Sequence, residues 1–346
     1  MQFNSIDIFS GCGGLTLGME RAGFKTKVAI EINEPAVNTF RLNHKKTFVI
    51  AEDIRDVSSD EVASHFGGEP VHFLAGCPPC QGFSSIRRLN KKNVRDKRNS
   101  LVLEYLRLVK ELRPLAIMME NVPGLENYFL FRRLISELKQ TGYHVDYKVV
   151  NIKDYGVPQS RKRLVLVGSL LGEIEVATGL DIKPKTVRNL IEKLPDPNNS
   201  EDWVHKVVAR HTSEVQERIR LTPKNGGSRK DLPERFTLEC HMAENNGFND
   251  IYGRLRWDDV SSTITGGCLN PSKGRFLHPE KNRCISAREA SILQSFPVTY
   301  KFAPDTTKTD LALMIGNALP PKFSFYQSQN VFNHLQRHQL LSPERF

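Results

Sequence analysis

No run of apolar residues in this chain is long enough to cross a bilayer, which argues against a helical membrane protein. Met1-Gln2-Phe3-Asn4 leads straight into a strand-like segment and lacks a secretory pattern, so the expected location is the cytoplasm. Cysteine is scarce. The six at positions 12, 77, 80, 240, 268 and 284 make one Cys-x-x-Cys and no second pair, arguing against a four-cysteine zinc site and a disulfide framework. A redox role for Cys77 and Cys80 stays open on spacing alone. Internal repeats and low-complexity tracts are also absent. Acids are outnumbered 39 to 49 by Lys and Arg, and the resulting charge of +10 suits a polyanionic partner. With 346 residues the chain can bury a large core and divide into two domains.

The first half alternates strand-like and helix-like segments. Residues 5–9 read as a strand, and Ser10-Gly11-Cys12-Gly13-Gly14 as a tight turn into a helix over 15–22. Such glycines let backbone approach a ligand, and the helix N-terminus behind them favours a carboxylate or phosphate. The loop departs from Gly-x-Gly-x-x-Gly because Thr16 holds the third glycine's place, which weakens a nicotinamide dinucleotide reading. Glu31 follows a second strand at the distance where an acid usually meets ribose hydroxyls. Asp53-Ile54 follows a third, and a carboxylate beside an aliphatic side chain can accept from a purine's exocyclic amine while covering its face.

A buried strand over 71–75 then delivers Gly76-Cys77-Pro78-Pro79-Cys80-Gln81-Gly82-Phe83-Ser84. Two prolines stiffen the backbone ahead of Cys80, so this thiol is the candidate nucleophile. Residues 85–98 follow with seven basic side chains and one acid and no apolar periodicity. They read either as a solvated charge run or as a loop that clamps phosphates and closes over the site. A strand over 115–119 places Glu120-Asn121-Val122 at its end, where a carboxyl among apolar neighbours can serve as an acid. Strands over 144–150 and 164–167 bracket Gln159-Ser160-Arg161-Lys162-Arg163. After Gly168 the alternation fades and paired glycines appear at 226–227 and 266–267, signalling a less regular second domain. Its charges nearly balance over 171–283, 18 basic to 17 acidic, so any nucleic-acid contact there depends on placement.

Together these residues resemble the cytosine-5 DNA methyltransferase family. The similarity runs from Asp7 to Pro321, through Asp7-x-Phe9-x-Gly11-x-Gly13-Gly14, the Cys80 loop, Glu120-Asn121-Val122 and Gln159-x-Arg161-x-Arg163. It continues through Arg288-Glu289-Ala290 to Pro297 and through Ile315-Gly316-Asn317-Ala318-Leu319-Pro320-Pro321, in the family's order. The resemblance implies an α/β fold: a Rossmann-like S-adenosylmethionine-dependent methyltransferase sheet over 1–175 and 305–346, with a smaller, irregular target-recognition domain over 176–304.

It also implies roles. Cys80 would add to cytosine C6, Glu120 would hydrogen-bond the ring, and Arg163, with Arg161 nearby, would steady the anionic intermediate, with no metal required. Phe9, Gly11, Gly13 and Leu15 would wrap the methionine end of S-adenosylmethionine, which leaves as S-adenosylhomocysteine. Glu31 and Ile32 would meet the ribose region, Asp53 and Ile54 the adenine, with Pro79 and Leu103 lining the pocket and Asn317 returning to close it. Arg87, Arg88, Lys91 and Lys92 would grip DNA from a lid, and Thr263 would contact the backbone. The implied partner is double-stranded DNA, flipped base included, for a monomer of the nucleoid-bearing prokaryotic cytoplasm, with any cognate restriction endonuclease acting separately. A tRNA-modifying or catalytically silent relative is the alternative.

Overall fold

The computed structural model describes residues 2–79, 100–180, 182–236 and 250–341. Cys80, Arg87, Arg88, Lys91 and Lys92 lie outside the described residues. By internal contacts the chain divides into two units: 1–155 with 162–181 and 319–346, and 156–161 with 182–318.

Short runs of buried aliphatic residues build the sheet of the first unit. Its strands are β1 (Asn4–Ile8), β2 (Lys25–Ile30), β3 (Phe48–Ile50), β4 (Phe73–Gly76), β5 (Ala116–Asn121), β6 (His144–Asn151) and β7 (Lys162–Ser169). They lie in the order β3-β2-β1-β4-β5-β7-β6. The first five are mutually parallel, while β7 runs antiparallel between β5 and β6. Parallel strands buried on both faces need helical crossovers. These are α1 (Gly14–Arg21), α2 (Glu34–Asn43), α3 (Ser59–Ser64), α4 (Leu101–Leu112) and α5 (Phe129–Gln140). Val102, Tyr105, Leu106 and Val109 of α4 recur at helical spacing and enter a core with Ile6, Ile8, Leu74, Ile117 and Met119. On the other side α1 packs against the C-terminal helix, Pro321–Leu341, so closely that a Cβ at Gly18 would lie 2.4 Å from Ser324 Cβ. Ser324 Oγ donates to the Leu15 carbonyl at 2.8 Å across that contact.

The second unit has shorter pieces: α6 (Val187–Ile191), α7 (Trp203–Lys206), α8 (Ser213–Leu221), α9 (Ala287–Leu293) and α10 (Lys308–Asn317); the C-terminal helix of the first unit is then α11. Ser286 and Glu289 form the capping box of α9 that their spacing anticipates. Elsewhere side chains satisfy the backbone. Arg254, fully buried, donates to the carbonyls of Ile219, Thr222, His278 and Lys281 at 2.6–2.9 Å, and to Asn282 Oδ1 at 2.8 Å.

Several boundaries differ from the sequence expectation. Glu120 and Asn121 are inside β5, and Arg163 is inside β7, because the antiparallel ladder between these strands extends to Asn121 opposite Leu164. Residues 156–161 group with the second unit, where Ser160 and Ser261 exchange backbone bonds with their neighbours: Ser160 N to Ser261 O and Ser261 N to Pro158 O, both 2.9 Å. The chain returns to the first unit at 319 and not at 305. Arg161 Nη1 and Gln294 Nε2 hold the Gly316 and Ile315 carbonyls at the end of α10, fastening that helix within the second unit.

Candidate active site

The glycine loop begins where β1 ends. Phe9 has φ 60°, Gly11 φ 53° and Gly13 φ 91°, so three left-handed residues turn the chain within five positions. The N-cap of α1 behind them is Gly13, which offers no side-chain acceptor, and Asp7 on β1 takes the Thr16 N–H of the first turn. A Cβ at Gly11 would meet nothing within 4 Å, which leaves open space before the loop. Glu31 is fixed by two backbone donors, Gly11 N to Oε2 and Asn33 N to Oε1, both 2.8 Å. Burial raises its pKa against those hydrogen bonds. Thr16, the apparent departure from a third glycine, has a reason: its Oγ1 donates to Asp7 Oδ2 at 2.5 Å, tying α1 to β1. Burial pushes the Asp7 carboxyl up to about 8.

Farther along the sheet, Ile54 is buried while Ile32 is 63% exposed. Asp53 is held by its neighbour: Arg55 Nε donates to Oδ1 at 2.9 Å, Nη2 to Oδ2 at 2.5 Å and the Arg55 backbone N to Oδ1 at 3.0 Å. These bonds lower the Asp53 pKa to about 2. Arg107 of α4 steadies the same turn through the carbonyls of Ile54 and Val57, at 2.8 and 3.0 Å. Leu103, Phe9 and Pro79 are half-buried, the first two against the main core.

At the end of β4, a Cβ on Gly76 would lie 2.8 Å from the Ile8 carbonyl, so only glycine permits this approach to β1. Cys77 N then donates to that carbonyl at 3.3 Å. Asn121 Nδ2 donates to the Pro78 carbonyl at 2.9 Å, anchoring the chain two residues before Cys80. Sequence reasoning gave Asn121 no role; its only signal was its place beside Glu120. Arg163 Nε sits 2.7 Å from Glu120 Oε1, with both side chains nearly buried at 13% and 10% exposure. Arg163 Nη1 is braced by the Lys162 carbonyl at 2.7 Å. Burial lowers the Arg163 pKa, opposed first by Glu120 and then by Cys77.

The other expected site residues belong to the second unit. Arg161 is buried, and its Nη1 donates to the Ile264 and Gly316 carbonyls, both at 2.9 Å. That is a bracing geometry and not the one expected of a group offered to a base. Thr263 Oγ1 donates to the Ser160 carbonyl at 2.9 Å, and Asn317 closes α10.

Strand order turns these separate observations into one place. Along β3-β2-β1-β4-β5 the C-terminal strand ends present, in spatial sequence, Asp53, Glu31, the glycine loop, the loop toward Cys80 and Glu120. The crossovers change direction between β1 and β4, where open α/β sheets form their ligand crevice. The family described as C-5 cytosine-specific DNA methylase matches residues 3–332. This chain belongs to that family. The chain is 37% identical over 328 residues to the Type II methylase M.HgiDII of Herpetosiphon aurantiacus, covering 91% of each chain. It is 34% identical to the Type II methyltransferase M1.HphI of Haemophilus parahaemolyticus, covering 93% of this chain and 84% of that one. A crystal structure from Escherichia coli, assigned as a prophage-encoded DNA modification methyltransferase, aligns with TM-score 0.74 and 28% identity, covering 96% of this chain and 99% of the other. The fold is thus the α/β methyltransferase sheet, and members of this DNA cytosine-5 methylase family are transferases. Among the described residues no helix is long and apolar enough to cross a membrane.

Proposed function

We propose that this chain is a sequence-specific DNA cytosine-5 methyltransferase that works on duplex DNA through a covalent intermediate at Cys80. The observation that carries the reading is the Glu120–Arg163 pair at 2.7 Å, with Glu120 on the strand next to the one that leads to Cys80 and Arg163 on the strand beyond it, and with Asn121 holding that lead-in through Pro78.

S-adenosylmethionine, when bound, supplies an electrophilic methyl group. The open glycine turn suits its methionine end, Glu31 its ribose hydroxyls, and Asp53 with Ile54 its adenine, with Phe9, Leu15, Ile32, Pro79 and Leu103 as apolar lining. The pyrimidine's C5 is a weak nucleophile on its own. The Cys80 thiolate would add to C6, moving electron density toward C5, which would take the methyl carbon as its bond to the sulfonium sulfur breaks and S-adenosylhomocysteine leaves. Glu120 Oε1 faces Arg163, and the carboxyl in its acid form would donate toward ring N3 as negative charge arrives. Arg163 offers its guanidinium to the developing anion at O2. Loss of the C5 proton to a base then restores the double bond and expels Cys80. The base reaches the thiol by leaving the helix stack, with the basic segment carrying Arg87, Arg88, Lys91 and Lys92 gripping the phosphates. The second unit would read the target, and the enzyme would act as a monomer, modifying sites that a separate cognate endonuclease cleaves.

Incubation with labelled S-adenosylmethionine and duplex DNA tests this, with tRNA as competitor. Label should enter duplex cytosines, and a denaturation-resistant adduct should form with 5-fluorocytosine DNA and disappear in Cys80→Ser. A folded protein that binds S-adenosylhomocysteine yet labels no duplex would refute the reading.

A further inference from the structure

The arginines of the second unit are largely committed to its own framework. Arg188, Arg218, Arg220, Arg283 and Arg288 each meet a carboxylate at 2.5–2.7 Å. Arg254 is enclosed by carbonyls, and Arg275 donates to those of Gly226, Gly227 and Arg254 while pairing with Asp250. Arg256, like Arg210 and Arg235, is exposed and makes no hydrogen bond or ion pair among the described residues, and it alone of these three lies across a close-packed glycine. The two acids that follow it are engaged elsewhere: Asp258 with Arg188 Nε at 2.7 Å, and Asp259 with the Val260 N–H at 2.7 Å.

What holds Arg256 is a glycine. Its side chain crosses Gly226 so closely that a Cβ there would lie 2.6 Å from Nε and 2.8 Å from Cγ. Gly226 has φ +115°, a conformation that side-chain-bearing residues rarely adopt. The turn beneath is fixed from several directions. Asn225, itself left-handed at φ 54°, accepts from Trp257 N at 2.8 Å through Oδ1 and donates its N–H to the Pro279 carbonyl at 2.8 Å. The Gly226 and Gly227 carbonyls accept from Arg275 Nη1 at 2.8 and 3.2 Å, and Gly227 O also accepts from Arg254 N at 2.8 Å. A Cβ on Gly227 would lie 2.4 Å from the Pro223 carbonyl, so the paired glycines are both required by close approach.

We propose that Arg256, laid along Gly226, is a DNA-contacting residue of this chain, presenting a guanidinium that no acid among the described residues pairs with. The inference deepens the DNA-methyltransferase reading and rests on it. A stem lying against a rigid turn has less conformational freedom to lose on binding than a freely moving one. The planar donor fork suits two acceptors side by side, which a phosphate offers through its oxygens and a guanine through O6 and N7.

The test is duplex binding at several salt concentrations for the wild type, Arg256→Gln, Arg256→Lys and Gly226→Ala, with S-adenosylhomocysteine affinity as the check on folding. The duplex is one that the wild type methylates. Arg256→Gln should weaken duplex binding about tenfold and leave cofactor-product affinity unchanged. If the contact is a phosphate, the salt slope falls by about 1 and Arg256→Lys restores binding. If it is a guanine edge, Lys does not restore it and discrimination at one base pair relaxes. Gly226→Ala should move binding in the same direction and add little on top of Arg256→Gln. An Arg256→Gln protein with wild-type affinity, salt slope and sequence preference would overturn the proposal, and this exposed position decides the matter even where Gly226→Ala fails to fold. A wild type that binds no duplex would remove the DNA reading itself, and this inference with it.

Discussion

The two units satisfy their backbones by different means. In the first, ladder hydrogen bonds between buried strands do most of the work, and side chains at strand ends remain available for chemistry: Glu31, Asp53 and Glu120 each stand at or just past such an end. In the second, regular elements are short, and buried arginines take over what a ladder would do, Arg254 alone serving four carbonyls. A scaffold that closes its own backbone leaves polar side chains to act on a ligand, whereas one that does not must consume them internally. In the second unit the observation of interest is therefore a basic side chain left outside that internal framework, such as Arg256.

That contrast can be broken by substitution. The largest effect is expected for Glu120→Gln, which keeps shape and hydrogen bonding but removes the acid. The rate of methyl transfer should fall roughly 10²–10⁴-fold with little change in duplex affinity, by single-turnover kinetics beside binding measurements. Equal losses in both would make Glu120 a binding group. Next, Arg254→Met should destabilise the second unit by about 3 kcal/mol or more, because several buried carbonyls lose their donor together. Denaturant melts followed by hydrogen exchange should place the loss at residues 219–222 and 278–282, with S-adenosylhomocysteine binding by the first unit retained. Loss of both would mean that the units do not stand apart energetically.

A smaller effect is expected in the first unit. Gly18→Ala forces a methyl group against Ser324 and should cost about 1–3 kcal/mol by overpacking the contact between α1 and α11. An unchanged melting midpoint would show that α11 can move away freely. The last test is a slope. Asp7 has a folded-state pKa near 8, above its ordinary 3.8, so between those values the folded protein holds a proton that the unfolded chain has released. Stability from this group therefore falls as pH rises from about 4 to about 8. Asp7→Asn should flatten the dependence of melting temperature on pH across that window, and a slope identical to wild type would place the titration elsewhere.

Much of the first unit could be read along the chain because its signals are local. A buried strand is a short apolar run, a left-handed turn asks for glycine, and a capping box such as Ser286 with Glu289 spans four residues. Less was legible where the partner is distant in sequence or where a neighbour changes a residue's employment. Asp53 was read for its place after a strand, and nothing local announced that Arg55 would donate to both its oxygens. Arg161 was grouped with Arg163 by spacing, but the two lie on opposite sides of the division between the units, and Arg161 braces carbonyls more than a hundred positions away.

By itself the sequence determined the α/β character, the order of the motifs and the residue types at each strand end, because apolar periodicity and turn chemistry act over a few residues. Only the tertiary structure decided that β1 lies between β2 and β4, which brings the glycine loop beside the path to Cys80. It also decided that Asn121 reaches Pro78, that Gly226 carries Arg256, and that the chain crosses back at 319. Those outcomes depend on which distant backbones approach closely enough to share hydrogen bonds, and no local pattern encodes that.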